Sequence, residues 1–251
     1  MDSEKKILSL RSLIISYLQL KSTCLTKKYC LEVELKVLYL NQHNRSPGVQ
    51  KIQMFPVHDE TTAPEASKPL LEQAKKNFGM IPNLEKVMAE SPALLEGYVR
   101  LWELFDTTSL SPIERQVVYQ TANFENQCEY CVPWHTKLSQ LADMPQNEIE
   151  ALRCGAELSD SKLEALRRFT RSLILNRGKM VEAELNTFFN TGYSAQQALE
   201  VILGIAVKTM SNYTNSIAGT PLDKAVEKLK WKKPIIAMKT NTDTANESFC
   251  S

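Results

Sequence analysis

No stretch of this chain is basic enough to grip nucleic acid, and none forms an acidic tail. Its 30 lysines and arginines and 29 aspartates and glutamates are interspersed and leave a formal charge of +1. A membrane-spanning run is missing too. The stretch Ile7 to Leu20 is broken by Arg11 and too short to cross a bilayer, and Asp2 and Glu4 spoil the positive flank a signal peptide needs. It reads as a short amphipathic helix. Also absent are a Gly-rich phosphate loop, a dinucleotide fingerprint and a Gly-x-Ser-x-Gly elbow, which argues against nucleotide enzymes and serine hydrolases. Cysteine is sparse: six residues, unevenly scattered, do not make a secreted disulfide framework and fit a reducing cytoplasm with one reactive pair.

What is present is helix signal, and the expected class is all-α. With 43% hydrophobic residues, the chain is long enough for one substantial core plus an appendage. Residues 1–50 read as a poorly defined N-terminal extension, 51–233 as a helical domain and 234–251 as a disordered tail. The helical domain is punctuated by caps. Thr62 or Ala63 before Pro64 opens a helix to about Asn77, closed by Phe78-Gly79. Ser91-Pro92 and Ser111-Pro112 each pair an N-cap with a proline in the first turn, opening helices to about Phe105 and Phe124. Asp160 caps a helix through Leu175, closed by Gly178. Ser194 caps a longer one to about Tyr213, in which Gly204 implies close helix–helix approach, because glycine there costs about 1 kcal/mol against alanine. Only Lys51 to Val57 and part of 31–40 read as strand.

The chemistry concentrates in Cys128-Glu129-Tyr130-Cys131-Val132-Pro133-Trp134-His135. Pro133 belongs in a first turn, so a helix begins near Cys128 or Glu129. Both sulfurs then sit at the positive end of a helix dipole, which favours thiolate. Cα atoms one turn apart fall within the roughly 4.4–6.8 Å a disulfide spans. His135 follows Cys131 by four residues on the same face and is expected to take or hold its proton. Zinc is the competing use of such a pair. It needs four ligands, usually from a second compact pair, and Cys24, Cys30, Cys154, Cys250, His43 and His58 supply none. No metal and no cofactor is expected. Inert buried cysteines are the third reading.

The stretch Leu110-Ser-Pro-Ile-Glu-Arg-Gln-Val-Val, with Glu125-Asn126-Gln127-Cys128-Glu129-Tyr130-Cys131 and His135, resembles the alkylhydroperoxidase D / carboxymuconolactone decarboxylase superfamily. Asn83-Leu84 after Ile81-Pro82, the block Leu163 to Arg171, Lys208 to Asn215, and Thr220-Pro-Leu-Asp resemble its peroxidase-related branch. The likeness covers roughly residues 52–230. It implies a helical-hairpin fold assembled into homo-oligomers, and hydroperoxide reduction by a dithiol recycled by a thiol or disulfide reductase. Carried over residue by residue, Cys131 attacks the peroxide, Cys128 resolves the sulfenic acid and His135 belongs to a proton relay. The residues alone favour Cys128 as the more dipole-activated, solvent-facing thiol. An exposed Cys128 exchanging with reductant, behind which a recessed Cys131 meets peroxide, reconciles the two.

Two departures from the resembling sequences concern that relay. Where they carry a glutamate twelve residues before the first cysteine this chain has Gln116, which cannot pass on a proton, and Glu125 is the nearest substitute acid. Between the cysteines Tyr130 replaces a histidine, and its phenol, with a pKa of about 10, donates hydrogen bonds rather than acting as a base. Ser216 stands where a further histidine is expected. Trp134 reads as pocket wall or core, Asn212, Tyr213 and Asn215 as the end of the long helix near the cysteines or as caps, and Cys154 as a buried small hydrophobe. Arg167, Arg168 and Arg171 form a basic patch facing solvent or pairing with Glu164. A lyase of the lactone decarboxylase type and a non-enzymatic redox-sensing oligomer are the alternative functions.

Overall fold

A computed structural model describes residues 54–234. The expectations for residues 1–50, including the amphipathic segment Ile7 to Leu20, and for the tail beyond 234 lie outside that range. Among the described residues every regular element is helical: α1 Lys68–Phe78, α2 Asn83–Met88, α3 Pro92–Asp106, α4 Pro112–Glu125, α5 Cys131–Leu141, α6 Gln146–Cys154, α7 Ser161–Leu175, α8 Glu182–Asn190 and α9 Ala195–Ala218. Two 3-10 turns, Glu65–Ser67 and Lys224–Leu229, flank them. The strand expected up to Val57 is not formed over Met54–Val57, where the backbone runs as irregular coil.

Local chemistry starts α3, α4, α7 and α9. Ser91 Oγ accepts from the Leu94 N–H, and Ser111 and Glu114 close a reciprocal capping box. Asp160 accepts from the Lys162 and Leu163 N–H groups, and Ser194 with Gln197 makes a second box. At the end of α7 the expected Gly178 takes a left-handed φ of 82°, and Arg177 before it does so too, at 54°. The longest helix runs on past Tyr213 to Ala218, because Gly219 rather than Tyr213 takes the left-handed cap.

Helix α4 is the axis of the described domain. From Val117 to Phe124 every residue is buried, since α4 packs against α5, α6, α7 and α9 together. Helix α9 crosses α3 and α4, and Gly204 is the reason it can. A Cβ there would lie 2.6 Å from Phe105 Cζ and 2.8 Å from Val118 Cγ1, closer than packed carbons tolerate. The hairpin of α4 and α5 is thereby held beneath α9, and the tight α4–α5 connection carries the cysteine pair.

Candidate active site

The connection owes its shape to the way α4 ends. Gln127 takes a left-handed φ of 55°, its N–H donates to the Phe124 carbonyl, and the Cys128 N–H reaches back to Asn123 at 3.0 Å. This Schellman closure delivers Cys128 directly to the start of α5. There the Cys131 N–H donates to Cys128 Sγ at 3.2 Å, the bond an N-cap side chain accepts from its third residue. The two cysteines approach to 2.7 Å, and both are free thiols.

Both are also buried, Cys128 at 5% exposure and Cys131 at 2%. The expected solvent-facing, dipole-activated Cys128 is therefore corrected. Burial and the neighbouring Cys131 push the Cys128 thiol up. Burial alone would push Cys131 up as well, but the Cys128 hydrogen bond, the Lys208 charge and the amides of Asn212 and Asn215 prevail and lower it to about 6. Asn212 Nδ2 lies 3.1 Å and Asn215 Nδ2 3.2 Å from Cys131 Sγ. Asn212 is aimed at the sulfur by its own partners: it donates to Asn123 Oδ1 and accepts from Asn126 Nδ2, both at 2.9 Å.

His135 is buried among aromatic rings, 4.8 Å from Tyr119 and 5.6 Å from Trp102 between centroids. Its nitrogens are committed. Lys208 Nζ lies 2.9 Å from Nε2, and because an ammonium only donates, Nε2 accepts and the ring proton sits on Nδ1. Nδ1–H then donates to Gln116 Oε1 at 2.9 Å. Neither ring nitrogen is left for the expected direct proton exchange with the Cys131 thiol, on which Lys208 acts through its charge. Burial, then the Lys208 charge, holds the imidazole neutral, well below its usual pKa.

Lys208 is the residue that sequence reasoning passed over. It is 1% exposed, lies 5.3 Å from the Tyr119 ring centre and 6.0 Å from that of Trp102, and desolvation lowers its pKa against the pull of the two sulfurs. The signal was present in its spacing. Val201, Gly204, Lys208, Ser211, Asn212 and Asn215 are buried on α9, so the lysine continues an inward stripe at intervals of three and four.

The remaining expected residues separate. Glu125 does not reach the site: it pairs with Arg171 at 2.9 Å, because the end of α4 faces α7 there. Arg167 and Arg168 both hold Glu164. Tyr130 donates to Asp223 and accepts the Leu84 N–H, fastening α2 to the cysteine turn. Trp134 is half-buried and also donates to Asp223. Tyr213 and Ser216 are exposed, and Cys154 is half-buried rather than buried. No group of three or more His, Cys, Asp or Glu side chains among the described residues is placed to hold a metal ion.

Cys131, His135 and Lys208 line a cavity of about 40 Å³, together with Leu84, Glu85, Tyr98, Trp102 and Trp134. That is room for roughly three water-sized groups. A thiolate, a second thiol in contact, an ammonium and a dry wall together suit two-electron reduction of a small electrophile.

Solved structures with this fold span nearly their whole length on the chain. A peroxidase-related protein with an alkylhydroperoxidase D core, from Ralstonia eutropha JMP134, superposes with a TM-score of 0.62 at 16% identity, covering 70% of this chain and 95% of its own. A peroxidase-related protein from Silicibacter sp. TM1040 gives 0.59 at 20% identity over 69% and 92%. The debrominase Bmp8, solved as a cysteine-to-alanine variant with 2,3,4-tribromopyrrole, gives 0.58 at 15% over 72% and 96%. The described domain has the alkylhydroperoxidase D-like fold expected from its motifs. No protein-family model matches the chain, and no curated protein does.

Proposed function

We propose that the protein is a thiol-dependent peroxidase that reduces small hydroperoxides through a Cys128–Cys131 dithiol/disulfide cycle. The observation that carries the reading is the sulfur of Cys131, which accepts from two amides and shares a small cavity with the buried Lys208, with the Cys128 thiol beside it. The thiolate attacks the terminal peroxide oxygen, the O–O bond breaks, and sulfur is oxidised to sulfenic acid while hydroxide or alkoxide departs and takes a proton. Cys128 then attacks the sulfenic sulfur and releases water, giving the disulfide. An external dithiol or disulfide reductase returns two electrons, which suits a reducing cytoplasm and an antioxidant role.

In this scheme Lys208 stabilises first the thiolate and then the departing oxyanion. His135 and Gln116 hold the lysine in place rather than relaying a proton, and Glu125 takes no part. Exposed Leu199, Ile202, Tyr213 and Ile217 along α9 support assembly into a homo-oligomer.

A second reading follows from the debrominase neighbour: the same dithiol could deliver its two electrons to a carbon–halogen bond. Reduced protein mixed separately with hydrogen peroxide, a bromopyrrole and a lactone decides. Stoichiometric loss of two thiols with peroxide alone supports the proposal. Bromide release, or lactone turnover without thiol loss, assigns the site to the other chemistry.

A further inference from the structure

The departing hydroxide or alkoxide needs a proton, and neither the glutamine facing His135 nor Glu125 supplies one. Glu85 on α2 lines the cavity with Cys131, His135 and Lys208, and among the described residues it is the only carboxylic acid that does. It is 5% exposed, and its Oε2 has no hydrogen-bond partner. An unpartnered buried carboxyl oxygen costs about 1–3 kcal/mol or more, which is best understood where the group meets a transient ligand.

We propose that Glu85 is the general acid of the site, protonating the oxygen that leaves when Cys131 attacks the peroxide. The assignment rests on the peroxidase reading above. Charge accounting favours it. Before reaction the cavity holds the Cys131 thiolate and the Lys208 ammonium. Attack converts S⁻ and HO–OH into S–OH and HO⁻, and the Glu85 proton turns HO⁻ into water. The negative charge has moved from sulfur to carboxylate, Lys208 stays compensated, and the Cys131–Cys128 condensation follows with the carboxylate available to accept the Cys128 proton. Burial and the nearby Asp223 raise Glu85 to about 8, so it carries its proton at neutral pH, as a general acid requires.

The test is Glu85→Gln, which keeps shape and polarity but holds no transferable proton. Three reactions of reduced protein are compared. Oxidation by hydrogen peroxide should slow by roughly 100-fold or more. Oxidation by a peracid, whose leaving carboxylate needs no proton, should change less than about threefold. Iodoacetamide alkylation of Cys131 should keep its wild-type rate and so certify the fold and the thiolate. Equal slowing with both oxidants, or no slowing, overturns the assignment. If wild-type protein ignores hydroperoxides altogether, the peroxidase reading itself fails. Should the variant not fold, the wild-type pH profile still decides. The titratable groups around Glu85 are Asp223, Tyr98, Tyr130, Cys131, His135 and Lys208, and a peroxide rate that rises with Cys131 ionisation and never declines up to about pH 9.5 excludes a protonated Glu85 from the step.

Discussion

Lys208→Met keeps the length of a buried side chain and removes the ammonium that favours the Cys131 thiolate. An opposite charge at contact range shifts a pKa by about 1–3 units. Starting from about 6, Cys131 should then titrate between roughly 7 and 9, so its thiolate fraction at pH 7 falls from about 90% to between about 50% and 1%. Alkylation at pH 7, followed peptide by peptide so that Cys131 is scored alone, should slow between about 2-fold and 100-fold, with the midpoint of the pH–rate curve moved upward. The fold should survive. Cys131 can offset the lost counter-charge by taking up a proton, and the His135 Nε2 left without its donor costs about 1–3 kcal/mol. A Cys131 profile that still titrates at the wild-type pH would show that the two asparagine amides and the helix start carry the thiolate alone, and the role given to Lys208 would be withdrawn.

Asn212→Ala removes one thiolate donor and strands Asn123 and Asn126, so it should both raise the Cys131 midpoint and cost about 1–3 kcal/mol in urea unfolding; a variant of wild-type stability refutes the network. Gly204→Ala trades a helix-propensity gain of about 1 kcal/mol against a clash with Phe105 and Val118, and the clash should win by about 1–3 kcal/mol, read as a lower denaturation midpoint. Gln116→Glu places a carboxylate on the Nδ1–H of His135 and should raise the imidazole pKa, visible by NMR; an unmoved titration means the side chain has turned away. Glu85 titrates higher folded than unfolded, so its contribution to stability is present below the ordinary carboxylate pKa and lost as pH rises through about 8. Relative to wild type, Glu85→Gln should therefore gain stability progressively between about pH 4.5 and 8 and level off above, checked by thermal melts from about pH 4 to 9.

The features legible in the sequence were those fixed by neighbours in the chain. Ser91, Ser111, Asp160 and Ser194 announced helix starts because capping is settled within three residues. Cys128, Cys131 and Pro133 announced the cysteine turn at the start of α5 for the same reason. Gly204 declared a close crossing, though not that Phe105 and Val118 were what it crossed. What escaped depends on packing between distant segments. A lysine is by default solvated, and only the docking of α9 across α3 and α4 turns Lys208 inward to His135, 73 residues away. Glu85 lies between Pro82 and Ser91 in a short helix whose burial is decided by Tyr130 and Asp223 gripping its start. Glu125 misled in the opposite sense: adjacent to the cysteines in sequence, it faces Arg171 across another interface. The preference for Cys128 failed because the helix dipole was weighed without the desolvation that overrides it.

The central claim is that Cys131 is the attacking sulfur and Cys128 its resolving partner. Mass spectrometry of fully reduced protein after one equivalent of hydrogen peroxide tests it most directly, on wild type and on Cys128→Ser. Wild type should lose two hydrogens and yield a Cys128–Cys131 linked peptide, while Cys128→Ser should gain one oxygen on Cys131, trapped by a dimedone-type probe. Oxygen on the other sulfur in Cys131→Ser with none on Cys131 in Cys128→Ser, or no mass change in the wild type, would contradict the account.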